Sequence, residues 1–233
     1  MPIKYTITFQ NDHGKDGRYA FFVDPPQVSE SLTTLELLTN VWISTFVPNG
    51  STHDITTTCE MFAWCGIVPK RPCVGVTVHD GVSQPAALGY EENEEATPGS
   101  TFEMIVDRGV PDLIPIPSSA KTGAYKIETG NDLLTPNYKY LVGLGMINGC
   151  GLVSPVASAL ATNNMSINLI PRMKFYVIAS DIEMGEIIDF PSVSKKGGVI
   201  DFSSGPGAGK DTPAVVHKNN GTFHIMYHES CKN

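Results

Sequence analysis

The sequence predicts an all-β protein, specifically a two-layer antiparallel β-sandwich of many short strands with at most one or two short helices. Apolar and polar residues alternate in short segments from end to end, and the first segment places Ile3, Tyr5, Ile7 and Phe9 on one face of a strand. Turn residues bound nearly all of these segments, and the chain contains 22 glycines and 17 prolines. Many short strands without intervening helices favour a sandwich over a parallel α/β sheet.

Two local patterns near the N-terminus predict a hairpin and a helix. The polar turn 11–17 predicts that residues 18–24 pair with the first strand as a hairpin. Pro25 and Pro26 end that second strand, because neither residue can donate a hydrogen bond to a ladder. The segment 29–38 is the one predicted helix, since Leu32, Leu35 and Leu38 have helical spacing.

The chain length fits one sandwich domain that spans residues 1–233. All-β folds of about 200–250 residues often form a single unit. The least regular stretch is 110–122, which contains Pro111, Pro115 and Pro117. We interpret it as a packed crossover loop between the sheets, with a domain boundary as the alternative.

The charge balance excludes two classes of partner. Sixteen basic and 24 acidic residues give a formal net charge of −8, and no run of Lys and Arg breaks this balance locally. Such a surface repels phosphate backbones and anionic headgroups, so neither nucleic acid nor a membrane surface is expected as a partner. No apolar run approaches the roughly 20 residues that span a bilayer.

The N-terminal segment and the cysteines predict a cytoplasmic protein with free thiols. Residues 1–10 form an alternating strand pattern and lack the apolar run of a secretory signal, although a leader removed beforehand would leave the same sequence. The number of cysteines is odd, at five, and none is spaced as CxxC. In a reducing compartment we expect them to be free thiols.

The dipeptide Asn220-Gly221 predicts a C-terminal hairpin with a two-residue type I′ turn, which places His217 opposite His224. Alternation along each strand then sorts the side chains into two faces. The predicted buried face comprises Val216, Phe223, Ile225 and Tyr227, and the opposite face comprises His217, His224, Met226 and His228.

The histidine face of this hairpin is a candidate metal site. His217, His224 and His228 could together bind a divalent transition metal, since cross-strand side chains lie about 4.5–5.5 Å apart at Cβ and imidazole suits zinc, nickel and copper. The alternative is the solvated face of an edge hairpin. No other cofactor is predicted from the sequence.

The aromatic residues on predicted strands suggest where a pocket could form. Trp42, Trp64 and Tyr140 lie on or beside strands, and Cys65 follows Trp64 and precedes a glycine. These four residues are the pocket candidates, because two sheets that enclose many aromatic side chains can leave an apolar cavity with a few polar groups. The alternative for each is an ordinary core position.

No motif for nucleophilic catalysis is present, since the chain has no GxSxG elbow and no cysteine beside an activating partner in sequence. The loop 12–16 carries acid and base groups, but turn chemistry explains its aspartates and glycine. We therefore expect a non-enzymatic binding protein for a small molecule, a glycan or a partner chain. Self-association into a homo-oligomer is compatible with this function.

The alternative is a cofactor-independent enzyme, namely a cyclase, isomerase or hydrolase with an apolar pocket between the sheets. In such a pocket, acid and base groups from distant strands would meet. A polar pair deep in a closed cavity would favour the enzyme. A shallow groove bordered by loops, or a large flat apolar patch, would favour the binding protein.

Overall fold

The computed structural model describes residues 4–29, 35–79 and 81–228. Within these ranges the chain forms twenty strands, one short α-helix and two 3-10 turns. The strands are β1 (Lys4–Asp12), β2 (Gly17–Val23), β3 (Gln27–Ser29), β4 (Leu38–Val47), β5 (Thr52–Thr58), β6 (Met61–Ile67), β7 (Val82–Ala86), β8 (Tyr90–Glu92), β9 (Glu95–Thr97), β10 (Gly99–Asp107), β11 (Val110–Ala120), β12 (Tyr125–Thr129), β13 (Tyr140–Ile147), β14 (Val153–Leu160), β15 (Ser166–Ile170), β16 (Lys174–Ala179), β17 (Ile187–Ile188), β18 (Gly198–Asp201), β19 (Pro213–Lys218) and β20 (Phe223–Tyr227). The helix α1 spans Phe190–Val193, and the 3-10 turns span Ser194–Lys196 and Gly205–Gly207.

The strands form three main sheets and one small hairpin. The largest sheet has the order β18-β16-β2-β4-β14-β13-β6-β7, and β17 pairs with β4 beside it. A four-stranded sheet has the order β20-β19-β1-β5, and a five-stranded sheet has the order β11-β10-β12-β15-β3. Strands β8 and β9 pair only with each other. The all-β prediction is confirmed, and the short helical segments agree with it.

One buried cluster joins all three sheets. Phe9 and Val215 come from the four-stranded sheet, Ile127 and Leu169 from the five-stranded sheet, and Phe175 from the large sheet, and all five are fully buried. The two smaller sheets therefore pack against one face of the large sheet. This arrangement forms the two layers of a sandwich, with the core between them.

The second face of the large sheet is also covered. Alternate residues of its strands point away from the main core, and Phe22 and Tyr176 stack there with ring centroids 5.3 Å apart. Phe190 of α1 packs edge-on against both rings. Trp64 lies farther along this face, in a separate buried cluster with Val76. Chain segments 68–78 and 182–193 thus cover the face that a simple sandwich would expose to water.

Strands β1 and β2 are not a hairpin, so the N-terminal hairpin prediction is wrong. β1 pairs with β5 and β19, whereas β2 pairs with β4 and β16 in the large sheet. The chain crosses from one layer to the other between them, and Phe9 packs on Tyr19 across the core with centroids 4.4 Å apart. Period-2 alternation identifies a strand but does not indicate which strand it pairs with. The same kind of polar turn can join two neighbouring strands of one sheet or two strands in different layers.

Residues 110–120 form strand β11, so the prediction of a packed loop at 110–122 is wrong. β11 pairs with β10 along most of its length and lies at the edge of the five-stranded sheet. Its three prolines fit that position, because an edge strand has one side where no backbone N–H is needed. They also hinder pairing with another chain.

Two other expectations from the sequence concern helices. The predicted helix at 29–38 falls mostly on 30–34, which lie outside the described residues, and its ends belong to β3 and β4. No helix among the described residues is long and apolar enough to cross a membrane.

The C-terminal hairpin has a three-residue loop instead of the predicted two-residue turn. The Gly221 N–H donates to the Lys218 carbonyl at 2.9 Å, and the Lys218 N–H donates to the Thr222 carbonyl at 2.9 Å. Gly221 has φ of 81°, while neither Asn219 nor Asn220 has positive φ. This is a type I turn followed by a left-handed glycine, a common three-residue hairpin loop.

The added loop residue reverses the predicted faces of β19. His217 pairs with Phe223, and Val216 pairs with His224. Val215 and His217 are buried, whereas Val216 is half-buried. The faces of β20 are as predicted, with Phe223 among the residues packed on the core. The Asn220 carboxamide oxygen stabilises the longer loop by accepting from the Thr222 N–H at 3.0 Å.

We expect two alanine variants to distinguish these registers. Val215→Ala should lower the free energy of unfolding by about 2 kcal/mol, because it removes a fully buried side chain. Val216→Ala should lower it by less than about 1 kcal/mol, because that side chain is only half-buried. Urea denaturation monitored by tryptophan fluorescence measures both values. The reverse order would support the two-residue turn.

Candidate functional site: two clefts around His217

Two adjoining clefts lie where β2, β16 and the C-terminal hairpin meet. One has a volume of about 270 Å³ and is lined mainly by apolar residues with one lysine. The other has a volume of about 410 Å³ and is lined mainly by polar and charged residues. The side chains used below are Ile178, Ile182, Val193, Lys196 and Phe223 in the first cleft, and His13, Lys15, Arg18, Tyr19 and Asp181 in the second.

His217 borders both clefts, as do Ala179 and Ser180. Its imidazole is the middle ring of a stack. The His13 ring lies parallel to it, with centroids 4.4 Å apart and an angle of 2°. On the other side the Phe223 ring stacks at 4.4 Å and 12°. The three rings therefore form a wall between the cleft that contains Lys196 and the cleft that contains Arg18.

The position of His217 is fixed by a hydrogen bond with Tyr19, whose hydroxyl oxygen lies 2.9 Å from Nδ1. Both residues are almost completely buried. Burial lowers the pKa of His217, and the neighbouring His13 lowers it further, while a hydrogen bond with the Gly221 backbone opposes both effects. The ring is consequently neutral at pH 7, and a neutral ring can accept the Tyr19 hydroxyl proton at Nδ1.

The loop that carries His13 is held by the side chains of Asn11, which is close in sequence, and Asn49, which is not. Asn11 is fully buried and donates from Nδ2 to the Lys15 carbonyl at 2.9 Å and to the Val47 carbonyl at 2.8 Å. The Asn49 side chain accepts from the Gly14 N–H at 2.7 Å. These bonds join loop 12–16 to loop 48–51, so the outer ring of the stack needs little ordering when a ligand binds.

The cations at the clefts have no ion-pair partner among the residues that the structure describes. Among the described residues, the side chains of Lys15, Arg18 and Lys196 form no hydrogen bond and no ion pair. Asp181 is the one carboxylate at the clefts without such a bond, since Asp16 accepts from the Asn49 N–H at 2.9 Å. The linings of the two clefts thus hold three cations, Lys15, Arg18 and Lys196, and two carboxylates, Asp16 and Asp181, on a chain with a net charge of −8.

A buried carboxylate elsewhere in the large sheet is satisfied internally. Asp24 accepts from Arg172 at 2.8 Å and from the Tyr176 hydroxyl at 2.8 Å. Burial raises the pKa of Tyr176, and the hydrogen bond to Asp24 raises it further. This network fixes the end of β2.

The structure does not bring the three predicted metal ligands together. His217 is buried beside Phe223, whereas His224 is exposed on the other face of the hairpin and His228 is exposed beyond the end of β20. The pairing of His217 with His224 was therefore wrong, because the loop has three residues. Within the described part of the chain, no group of three or more His, Cys, Asp or Glu residues could hold a metal ion.

The four pocket candidates lie in the core or at another pocket. Trp42, Trp64 and Cys65 are fully buried and line neither cleft. Trp42 donates from Nε1 to the Ile147 carbonyl at 3.2 Å. Tyr140 is buried but borders a separate surface pocket beside loop 134–140.

Sequence reasoning missed His13 and Tyr19 as partners of His217. The parallel pairing of β1 with β19 places Asn11 beside His217, and this contact joins residues from opposite ends of the chain. The mixture of acid and base groups in loop 12–16 was the one local signal, and its glycine and aspartates also suit an ordinary turn. A non-local pairing leaves no other trace in one sequence.

Comparison with protein families matches residues 2–225 to RhiA. The chain belongs to the RhiA family. The match covers β2, β16 and β19, which together hold the clefts of this RhiA-family protein. Comparisons with curated proteins and with solved structures gave no match.

The reactivity of the cysteines provides one test of the burial described above. Burial raises the pKa of Cys65 to about 12, and the charge of Asp112 contributes to this rise. Cys59, Cys73 and Cys150 are exposed free thiols. Iodoacetamide at pH 8 should therefore alkylate these three in the native protein and leave Cys65 unmodified, as measured by peptide mass spectrometry. Alkylation of Cys65 at a similar rate would contradict its buried position.

The stack also predicts the titration of His217. NMR titration of the imidazole resonances should give His217 a pKa below the ordinary value, because burial and His13 disfavour the charged ring. His13→Ala should raise that pKa by removing the second imidazole. His53→Ala is the control, because His53 is exposed on β5 and borders neither cleft. An ordinary pKa for His217 in the wild type would mean that its ring is solvated.

Proposed function

We propose that this RhiA-family protein is a non-enzymatic binding protein that holds a small organic molecule in the two clefts around His217. The observation that carries the proposal is the wall of three stacked rings, with an open cleft on each side of it. Volumes of about 410 and 270 Å³ suit such a ligand, since ligand pockets usually measure about 300–1,000 Å³.

The chemistry of the two clefts supports an amphipathic ligand with a negative end. Ile178, Ile182 and Val193 offer apolar surface in the smaller cleft. Lys196 lies in the same cleft, and Arg18 lies in the other, both without a carboxylate partner in the described structure. A carboxylate would gain charge-assisted hydrogen bonds from these cations. We therefore propose a small carboxylate with an apolar body as the ligand.

The form of the site supports binding over catalysis. The clefts are open to the surface and bordered by loops 12–16 and 179–182, which is the arrangement expected of a binding protein. One observation favours the alternative, a cofactor-independent enzyme. His217 is a neutral imidazole with a lowered pKa beside a cleft, and such a group can serve as a general base. Its Nδ1 is already occupied by the Tyr19 hydroxyl, which supports a positioning role.

We also propose a cytoplasmic location for the protein. The support is chemical, because Cys59, Cys65, Cys73 and Cys150 form no disulfide in the described structure. Cys231 lies outside the described residues. Free thiols persist in a reducing compartment. Thiol titration of denatured, non-reduced protein purified from its source should give all five thiols free; a count of one or three would place it in an oxidising compartment.

Binding of octanoate tests the proposed ligand chemistry. Isothermal titration should show that octanoate binds and that octanol, which lacks the charge, binds at least about tenfold more weakly. Lys196→Gln should weaken octanoate binding by a similar factor, whereas Lys195→Gln should not, because Lys195 does not line the cleft. The two neighbouring lysines thus form a matched pair of variants.

The ring wall has its own pair of variants. His13→Ala should weaken octanoate binding by about three- to tenfold through loss of the stacked ring, and His53→Ala should not. Absence of octanoate binding, or equal affinities in all four variants, would refute the proposed site. Mass spectrometry of the recovered ligand distinguishes the enzyme, which would return a changed molecule.

A further inference from the structure

A third pocket, with lining residues different from those of the His217 clefts, lies between segment 69–71 and loop 134–140. Its volume is about 220 Å³. Lys70, Arg71 and Lys139 line it, and no described lining residue is Asp or Glu. Three cations without a carboxylate stand out on a chain with a net charge of −8. The pocket is therefore a local region of positive charge.

Aromatic rings, and not carboxylates, hold two of these cations in place. The Arg71 guanidinium lies 5.8 Å from the centroid of the Tyr138 ring. The Lys139 Nζ lies 4.7 Å from the centroid of the Tyr140 ring. In the described structure neither side chain donates a hydrogen bond. Cation–π contacts orient a cation but use none of its N–H donors, so both remain available to an anion.

The pocket also exposes apolar surface that a folded chain would ordinarily bury. Leu134 is 79% exposed and Tyr138 is 49% exposed. Pro69 and Pro136 contribute further apolar atoms to the lining. An exposed aromatic face beside fixed cations can pack against the face of a six-membered ring, planar or chair-shaped, while the cations bind its charged group.

Two asparagines hold the loop that presents these residues. Asn137 donates from Nδ2 to the carbonyls of Tyr140 and Ala161, both at 2.8 Å. Asn163 donates from Nδ2 to the Leu133 carbonyl at 3.0 Å, and the Leu133 N–H donates back to Asn163 at 2.9 Å. The loop is therefore preorganised, and exposure of its side chains is not a result of a loose backbone.

The other wall of the pocket is fixed to this loop. The Val68 N–H donates to the Lys139 carbonyl at 2.9 Å, which places segment 69–71 beside the loop. Arg71 and Lys139 consequently approach the same space from two chain segments.

We propose that this pocket binds a single six-membered ring that carries a carboxylate. The ring stacks on Tyr138, and the carboxylate accepts hydrogen bonds from Arg71 and Lys139. A volume of about 220 Å³ is below the usual range for a drug-sized ligand, about 300–1,000 Å³, and suits one ring. An acidic sugar and an aromatic acid share this chemistry.

NMR titrations with galacturonate and benzoate test the proposal and distinguish the two sources. Galactose and benzyl alcohol are the uncharged counterparts, and inorganic phosphate tests binding of an anion without a ring. At least one acid should shift the amide resonances of loop 134–140 and bind about tenfold more tightly than its uncharged counterpart. Binding of that acid should weaken as salt is added.

Arg71→Gln should weaken binding of that acid about tenfold, and Tyr138→Ala should weaken it by about three- to tenfold. Lys195→Gln is the control, because Lys195 is exposed and lines neither this pocket nor the His217 clefts, so this binding should be unchanged. The proposal is overturned if neither acid binds, if the uncharged rings or phosphate bind as tightly, or if Arg71→Gln has no effect. None of these outcomes depends on octanoate binding at the His217 clefts.

Discussion

The parallel pairing of β1 with β19 is the contact on which the site around His217 depends. It places the buried Asn11 beside His217, although the two residues come from near opposite ends of the sequence. Asn11 shapes the loop that carries His13, and β19 carries the ring that His13 covers. Tyr19, which belongs to the large sheet, forms a hydrogen bond with the same imidazole. Without this pairing, the stacked rings would belong to separate parts of the surface.

The local part of the fold could be predicted from sequence, and the non-local part could not. Alternation correctly gave the buried face of β20, including Phe223 and Ile225, because side chains alternate whatever the strand's partner. The faces of β19 depend instead on the length of the loop before β20. Asn220-Gly221 suits two loop types. In the longer one, the Thr222 N–H and the Thr222 hydroxyl both donate to the Asn220 side-chain oxygen.

The difference between local and non-local contacts also explains where the candidate site residues lie in the structure. The metal site at His217 was predicted on the assumption of a two-residue turn. That assumption determined which residues of the two strands would face each other. Trp42, Trp64 and Cys65 were pocket candidates on the basis of residue type, and all three serve as core. Tyr140 alone borders a pocket, because β13 begins at the loop fixed by Asn137. The pockets lie at the ends of strands, where loops from distant parts of the chain meet. Local patterns in a single sequence do not indicate which loops meet.

The proposed ligand site comprises two clefts on either side of a wall of three rings. A crystal structure determined after soaking with a library of small carboxylic acids measures this most directly. We expect density for bound acids between Ile178 and Phe223 or beside His13, with the carboxylate near Lys196 or Arg18. Density only at unrelated surfaces, with solvent alone in both clefts, would contradict the account.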